Sequence, residues 1–396
     1  MSGSIFTPFT EEELLPKEEK LEVVRKGKKF TIGLPKETCL NERRTCLTPD
    51  AVQVLCNHGH EIIVEKGAGQ GSFFSDLLYA EAGARITSDP QEAFGQDLVM
   101  KINPPTIEEI EFFQSGSYLI SALQINLRDA DYFTKMAEKK VNAIAFEFIM
   151  DEYNQLALVR LIGEIAGTTS ILYASELLAL SNGLMLGGIT GVRPTEVVII
   201  GAGIVGEFAT KAAIGLGASV KVFDNSLSKL RRLHTLVDGR VPTSIIDPKE
   251  LQKSLRRADV VIGALPRLNQ LPIITEEMVL LMKKGSVIID ITIDNGQVSE
   301  TSELTTMEDP YTIRHDVIHC GLPNLTSRIP RTTTKAISNF FLSYILNYDQ
   351  QGGFENMLMH KNHVKESLYL YKGRHTKKEV CQRFSLPYHD INLLVF

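Results

Sequence analysis

Residues 197–206 read Val197-Val198-Ile199-Ile200-Gly201-Ala202-Gly203-Ile204-Val205-Gly206. Four consecutive β-branched residues suit a central strand of a parallel sheet, buried on both faces. The glycines after them have separate tasks. Gly201 permits the tight turn out of the strand, Gly203 lets the main chain approach a diphosphate, and Gly206 lets the next helix pack closely on the strand. Ala202, Ile204 and Val205 complete the spacing, and residues 207–216 continue as a helix stopped by Gly217. The glycine spacing alone is a weak signal, because a close-packed βαβ unit without a ligand can carry it. Here a second strand ends at Asp224, 18 residues past Gly206, with Asn225 beside it. A carboxylate at that place accepts hydrogen bonds from a ribose 2′-hydroxyl and repels a 2′-phosphate. The stretch therefore reads as a dinucleotide site for NAD in preference to NADP.

Outward from this unit, strands and helices alternate. Downstream strands are expected at 220–223, 244–246, 260–264, 287–291 and 317–320. Upstream ones are expected at 30–34, 61–65, 98–102, 118–122 and 143–148, with helices at 51–57, 77–83 and 129–139 and a long helix at 161–182. Strands separated by helices of this length imply parallel pairing with right-handed crossovers. The expected class is α/β, with two Rossmann-like domains. The nucleotide domain, 158–331, is inserted in a discontinuous outer domain made of 1–157, its first 28 residues an extension, and a mainly helical 332–396.

Composition narrows the partners. A net charge of −6 with both signs interspersed offers no basic stripe for nucleic acid. The most apolar stretch, 171–192, is broken by Glu176, Asn182 and glycines, which reads as a buried helix and its exit and not as a membrane span. Residues 1–28 are charged and lack the apolar centre of a signal peptide. Five cysteines without a Cys-x-x-Cys pair (Cys39, Cys46, Cys56, Cys320, Cys381) read as reduced thiols of a cytoplasmic protein. No metal site is expected, since His58-Gly59-His60 has no further ligands at suitable spacing. Gly67-Ala68-Gly69-Gln70-Gly71 also follows a strand, but its third glycine comes one residue early, and it reads as a structural loop beside the cleft.

Further segments stand at characteristic places: Gly33-Leu34-Pro35-Lys36-Glu37-Thr38, Asn41-Glu42-Arg43-Arg44, Leu47-Thr48-Pro49, Gly163-Glu164-Ile165-Ala166-Gly167, Ala258-Asp259-Val260-Val261-Ile262-Gly263-Ala264, Asp290-Ile291-Thr292-Ile293-Asp294, Asn324 and Pro330-Arg331-Thr332. Together with the glycine loop they resemble the alanine dehydrogenase family and its relative, the NAD(H)-binding subunit of the proton-translocating transhydrogenase, from about residue 30 to about 390. The resemblance implies two Rossmann-like domains facing a cleft and a homo-oligomer, from dimer to hexamer.

Carried over residue by residue, the resemblance implies that Arg44 holds the substrate carboxylate, a task its planar fork of donors suits. Lys101 is carried over as a second substrate-binding group, Asp294 as the group handling water or proton exchange, and Asn324 as a contact of both nicotinamide and substrate. Two positions depart from the dehydrogenases. In Lys101-Ile102-Asn103-Pro104-Pro105 the family's second lysine is Asn103, and in Ser121-Ala122-Leu123-Gln124-Ile125 its histidine is Gln124. An amide does not titrate near neutral pH, and losing a general acid–base costs roughly 10²–10⁴ in rate. His319 is a candidate stand-in, with a satisfied structural histidine the simpler reading. The expected function is hydride transfer between NAD(H) and a small 2-amino/2-oxo acid of the L-alanine/pyruvate type. The alternative is an NAD(H)-binding regulatory or scaffold protein without turnover.

Overall fold

The apolar runs become strands of two sheets. The computed structural model describes residues 29–151, 153–266, 270–350 and 362–395, together with 353 and 356; the N-terminal extension lies outside them. In the first sheet β1 (Thr31–Leu34), β2 (Glu61–Glu65), β3 (Arg85–Thr87), β4 (Leu98–Met100), β5 (Tyr118–Ser121) and β6 (Asn142–Ala145) are all parallel. The second sheet holds β7 (Glu196–Ile200), β8 (Ser219–Phe223), β9 (Thr243–Ser244), β10 (Val260–Gly263), β11 (Val287–Asp290), β12 (Thr312–Arg314) and β13 (Val317–Cys320), with only β12 antiparallel.

Strand order decides where ligands can sit. The first sheet runs β6-β5-β4-β1-β2-β3, so the chain leaves β1 to one side and returns on the other at β4. The second runs β12-β13-β11-β10-β7-β8-β9, with the same reversal between β7 and β10. At each reversal the loops beyond the strand ends diverge and open a crevice. The segments after β1, β4 and β5 share one crevice, and those after β7 and β10 share the other.

The helix Ala157–Asn182 joins the two halves. It has the length and composition of a membrane span, yet half of its most apolar stretch is buried within this chain. Leu158 belongs to the core under the first sheet, and Ile171, Ala174, Leu177 and Leu178 to the core under the second. It packs chiefly on the helix Ile204–Gly215, which follows the glycine loop. That helix starts close to β7 because Gly206 has no side chain: a Cβ there would lie 1.8 Å from the Gly201 carbonyl oxygen. Gly201 itself has φ +114°, a conformation that other residues rarely adopt.

The C-terminal region departs from the helical expectation. Within the stretch expected to be mainly helical, Leu368–Tyr371 is strand β14, every residue of it buried. It pairs antiparallel with β6 and with β15 (Arg374–His375), so the hairpin extends the edge of the first sheet. The turn explains the outcome. Lys372 and Gly373 have φ +49° and +76°, the two-residue hairpin turn whose twist matches that of the strands. The Asn142 side chain anchors it, accepting the Lys372 N–H at 2.9 Å. Strand β3 and the β12 edge strand were likewise absent from the sequence reading.

Replacing Gly206 by alanine puts a methyl group into the Gly201 carbonyl. Urea unfolding should show a loss of about 1–3 kcal/mol or more, as for an overpacked core. An unchanged midpoint would mean that the helix has room to withdraw.

Candidate functional site

Eight of the described α-helices begin with a side-chain cap, from Thr48, Ser75, Asp89, Thr106, Asp129, Ser226, Asp247 and Thr275. The helix Ile204–Gly215 does not; its N-cap is Gly203, and no side chain accepts from its first turn. A Cβ on Gly203 would meet nothing within 4 Å, so the space before these N–H groups is open. Open space at an uncapped N-terminus fits a diphosphate, because the unsatisfied N–H groups and the helix dipole both favour an anion. The Asp224 carboxylate organises the loop from beneath. It is 2% exposed, and its two oxygens accept the N–H groups of Ala202 and Ser226, both at 2.7 Å. Asn225 is exposed at the rim. In the first turn, Glu207 is balanced by Lys211 at 2.7 Å and Arg232 at 3.1 Å.

At the crevice of the first sheet, the segments after three strands meet through one chain of contacts. Glu42 grips Arg44 side-on, Oε1 accepting from Nε at 2.7 Å and Oε2 from Nη2 at 2.6 Å. The Arg44 Nη1 group donates to Thr326 Oγ1 at 3.0 Å. From the loop after β4, Asn103 Nδ2 donates to Glu42 Oε2 at 3.2 Å, and Asn103 Oδ1 accepts from Gln124 Nε2 at 2.8 Å. Burial alone would raise the Glu42 carboxyl, but the charge and hydrogen bonds of Arg44 hold it below its ordinary value. Gln124 has left-handed backbone, φ +49°. Glu147 supports this geometry by accepting the N–H groups of Leu123 and Gln124 at 2.8 and 3.2 Å.

A cavity of about 290 Å³ opens here, lined by Lys36, Glu37, Glu42, Arg43, Arg44 and the loop around Gly67 and Gly71. The second glycine loop thus borders the cleft as a structural element. Glu37 turns to the main chain, accepting the Ile102 and Asn103 N–H groups at 2.6 and 3.3 Å. Burial pushes its carboxyl up to about 7, against the opposing pull of Lys101.

Lys101 is a correction. It is 1% exposed, its ammonium pairs with Glu109 at 2.7 Å, and it lies 5.5 Å from the centre of the Phe94 ring. The capping box of the short helix Ile107–Ile110 holds Glu109 in place, so the ammonium is held in a buried ion pair and is not part of the lining of the cavity beside Arg44.

Asp294 lies beyond β11 in an exposed turn, fixed by Asp290, which accepts the Thr292 and Val298 N–H groups at 3.2 and 2.7 Å. Desolvation raises the Asp294 carboxyl above the usual aspartate value. Asn324 is exposed, with φ +53°. It immediately precedes the turn that carries Thr326 to Arg44. Among the described residues, no hydrogen bond or ion pair links Asp294 or the Asn324 side chain to the Arg44 cluster. His319 is buried, its ring nitrogens within 2.7 Å of Thr301 Oγ1 and 3.0 Å of the Val317 carbonyl, which leaves it a structural role.

A family model described as "Alanine dehydrogenase/PNT, N-terminal domain" matches residues 33–166, and its C-terminal counterpart matches residues 166–378. The chain belongs to the alanine dehydrogenase/PNT family. It is 36% identical over 367 residues to alanine dehydrogenase 2 of Staphylococcus aureus strain USA300, spanning 91% of this chain and 98% of that protein. Identity to the alanine dehydrogenase of Staphylococcus saprophyticus is 37% over the same coverage. A solved L-alanine dehydrogenase aligns with TM-score 0.82 at 31% identity, covering 90% of this chain and 99% of that one. The transhydrogenase of Sinorhizobium meliloti shares the fold, with TM-score 0.74 at 22% identity over 88% of this chain and 99% of that one.

Within this family member, sequence reasoning singled out Arg44 and passed over the groups that set its geometry. Glu42, Glu37, Thr326 and Glu147 carry no motif chemistry of their own. The one available signal was the density of charge between Lys36 and Arg44 beside a predicted strand end.

Glu37 also predicts a pH dependence. Its folded value lies above the ordinary carboxylate value, so the folded chain holds a proton that the unfolded chain releases, and stability falls as pH rises from about 4.5 to about 7. A Glu37→Gln variant lacks this loss. Its melting temperature relative to the parent should climb between about pH 5 and pH 8; a difference that stays flat across that range counts against a buried, protonated Glu37.

Proposed function

We propose that this chain is an NAD(H)-dependent oxidoreductase that interconverts a small 2-amino acid and the corresponding 2-oxo acid. The observation carrying the reading is the free end edge of Arg44, set at the crevice of the first sheet within a family fold. Glu42 occupies the side edge formed by Nε and Nη2, and Thr326 takes one donor of Nη1. One N–H on each terminal nitrogen remains to donate to a carboxylate.

The cofactor is held by the N–H groups at Gly203, Ile204 and Val205, with Asp224 and Asn225 toward the adenosine. Each Asp224 oxygen has one backbone partner and keeps a lone pair for a ribose hydroxyl. When bound, the nicotinamide accepts or returns the hydride of the substrate α-carbon. Everything else is alignment by the protein. Asn103 and Gln124 orient the amino or oxo group by hydrogen bonding and leave its charge unchanged. Asp294 handles the proton exchanged as water adds to the imine and ammonia departs, and Asn324 orients substrate and nicotinamide. The net change is amino acid, NAD⁺ and water to oxo acid, NADH, ammonium and a proton. The protein acts as a cytoplasmic homo-oligomer without membrane or nucleic-acid partners.

One observation favours a second reading, an NAD(H)-responsive protein without turnover. Gln124 and Asn103 bond to each other at 2.8 Å, so the two positions that titrate in the dehydrogenases are closed into an amide pair.

NADH should raise the melting temperature, and Gly203→Ala should weaken its binding by tenfold or more while leaving the melting temperature of the free protein within a degree or two, on the order of a surface change. Absence of any NADH effect at millimolar concentration would defeat both readings. Ammonium-dependent NADH oxidation separates them: in the enzyme reading it is measurable in the parent, and Asn103→Lys with Gln124→His raises it on pyruvate. Intact binding with no turnover in either protein would leave the second reading standing.

A further inference from the structure

The cavity beside Arg44 carries more positive charge than one substrate carboxylate needs. Arg43 lines it alongside Arg44. Among the described residues no carboxylate lies within ion-pair distance of the Arg43 guanidinium, which rests over the Phe73 ring at 5.4 Å. Its main chain is fixed from two sides. Ser327 Oγ accepts the Arg43 N–H at 2.9 Å, and Gly71 approaches so closely that a Cβ there would lie 2.7 Å from the Arg43 carbonyl oxygen. Lys36 lines the same cavity, and among the described residues it too has no ion-pair partner.

The two carboxylates in the cavity lining do not cancel these cations; Glu65 lies beside them, accepting the Lys36 main-chain N–H at 2.8 Å. Glu42 is committed to Arg44 through both oxygens. Glu37 accepts two main-chain N–H groups and is raised to about 7 by burial, so near neutral pH a large fraction of it is uncharged. Lys101 and Glu109 neutralise each other behind the wall, and the Cys39 and Cys46 thiols are both raised by burial and so stay protonated. A three-carbon monocarboxylate bound end-on to Arg44 would leave the cations of half-buried Arg43 and exposed Lys36, which border the same cavity, without an anion. The cavity, about 290 Å³, is also roomy for such an acid.

We propose that the acid bound here carries a second carboxylate: its 1-carboxylate takes the end edge of Arg44, and its distal carboxylate is read by Arg43 with Lys36. This rests on the oxidoreductase reading for its chemistry, but its binding half can be tested without turnover. Arg43 is then a specificity-determining residue, supplying a planar fork where Lys36 supplies a point charge.

The test compares oxaloacetate and 2-oxoglutarate with pyruvate and 2-oxobutyrate on the full chain. Initial rates are taken with NADH and ammonium, and thermal shifts with and without NADH. The expected result is that the better dicarboxylate exceeds pyruvate in kcat/KM by about tenfold or more, the discrimination that a charge-assisted guanidinium–carboxylate contact supplies. Arg43→Met should reduce that ratio by a similar factor, and Arg43→Lys should restore part of it. If no acid is turned over, the thermal shifts decide. A dicarboxylate shift that is present in the parent and lost in Arg43→Met supports the assignment. A normal NADH shift with no dicarboxylate shift overturns it and leaves the nucleotide reading intact. A missing NADH shift condemns the nucleotide reading, and the dicarboxylate shift is then judged on the free chain. Pyruvate preferred over both diacids, with a ratio indifferent to Arg43→Met, also overturns it.

Discussion

Arg44 and Glu42 form an ion pair whose side chains are 4% and 1% exposed. Removing two charges from water is costly, and the mutual attraction offsets that cost only when geometry is good and the remaining donors are satisfied. The side-on grip meets the first condition. Thr326 and Asn103 contribute to the second. Because the pair cannot relax into solvent, it dictates the arrangement around it: the loop after β1, the loop after β4 and the turn at Thr326 must all arrive together for its cost to be met.

The same region ties the returning chain to the first cleft. Ser327, Thr334 and Ser338 each offer a hydroxyl oxygen to a main-chain N–H of the segment after β1, at Arg43, Thr45 and Thr48, over 2.9, 3.1 and 2.9 Å. Three such bonds from the turn at Ser327 and the helix Pro330–Gln350 fix the main chain on either side of Arg44. A hydroxyl accepts a backbone hydrogen bond without bringing a charge, so this contact adds none to a site already crowded with ions.

The repetitive layers were legible in the sequence because a buried parallel strand requires a dense β-branched run, and such runs stand out at Val197–Ile200, Val260–Ile262 and Val287–Ile289. The glycine loop was legible because its packing admits no side chain. Other features depend on contacts that no local pattern reports. Leu368, Tyr369, Leu370 and Tyr371 are buried on both faces of an edge-pairing strand, so they show no alternation, and short apolar runs of that kind read equally as helix. The fate of Lys101 turned on Glu109, eight residues away, being delivered by a capped helical turn. Glu37 is unremarkable as a residue type; burial over two N–H groups makes it a titrating group.

Glu147 acts on the main chain around Gln124, through two N–H groups. The left-handed kink that presents residue 124 is therefore held independently of which side chain sits there. A position whose frame is fixed from behind can exchange imidazole for amide without rebuilding its surroundings, and the scaffold can change its reaction chemistry there while its shape stays the same.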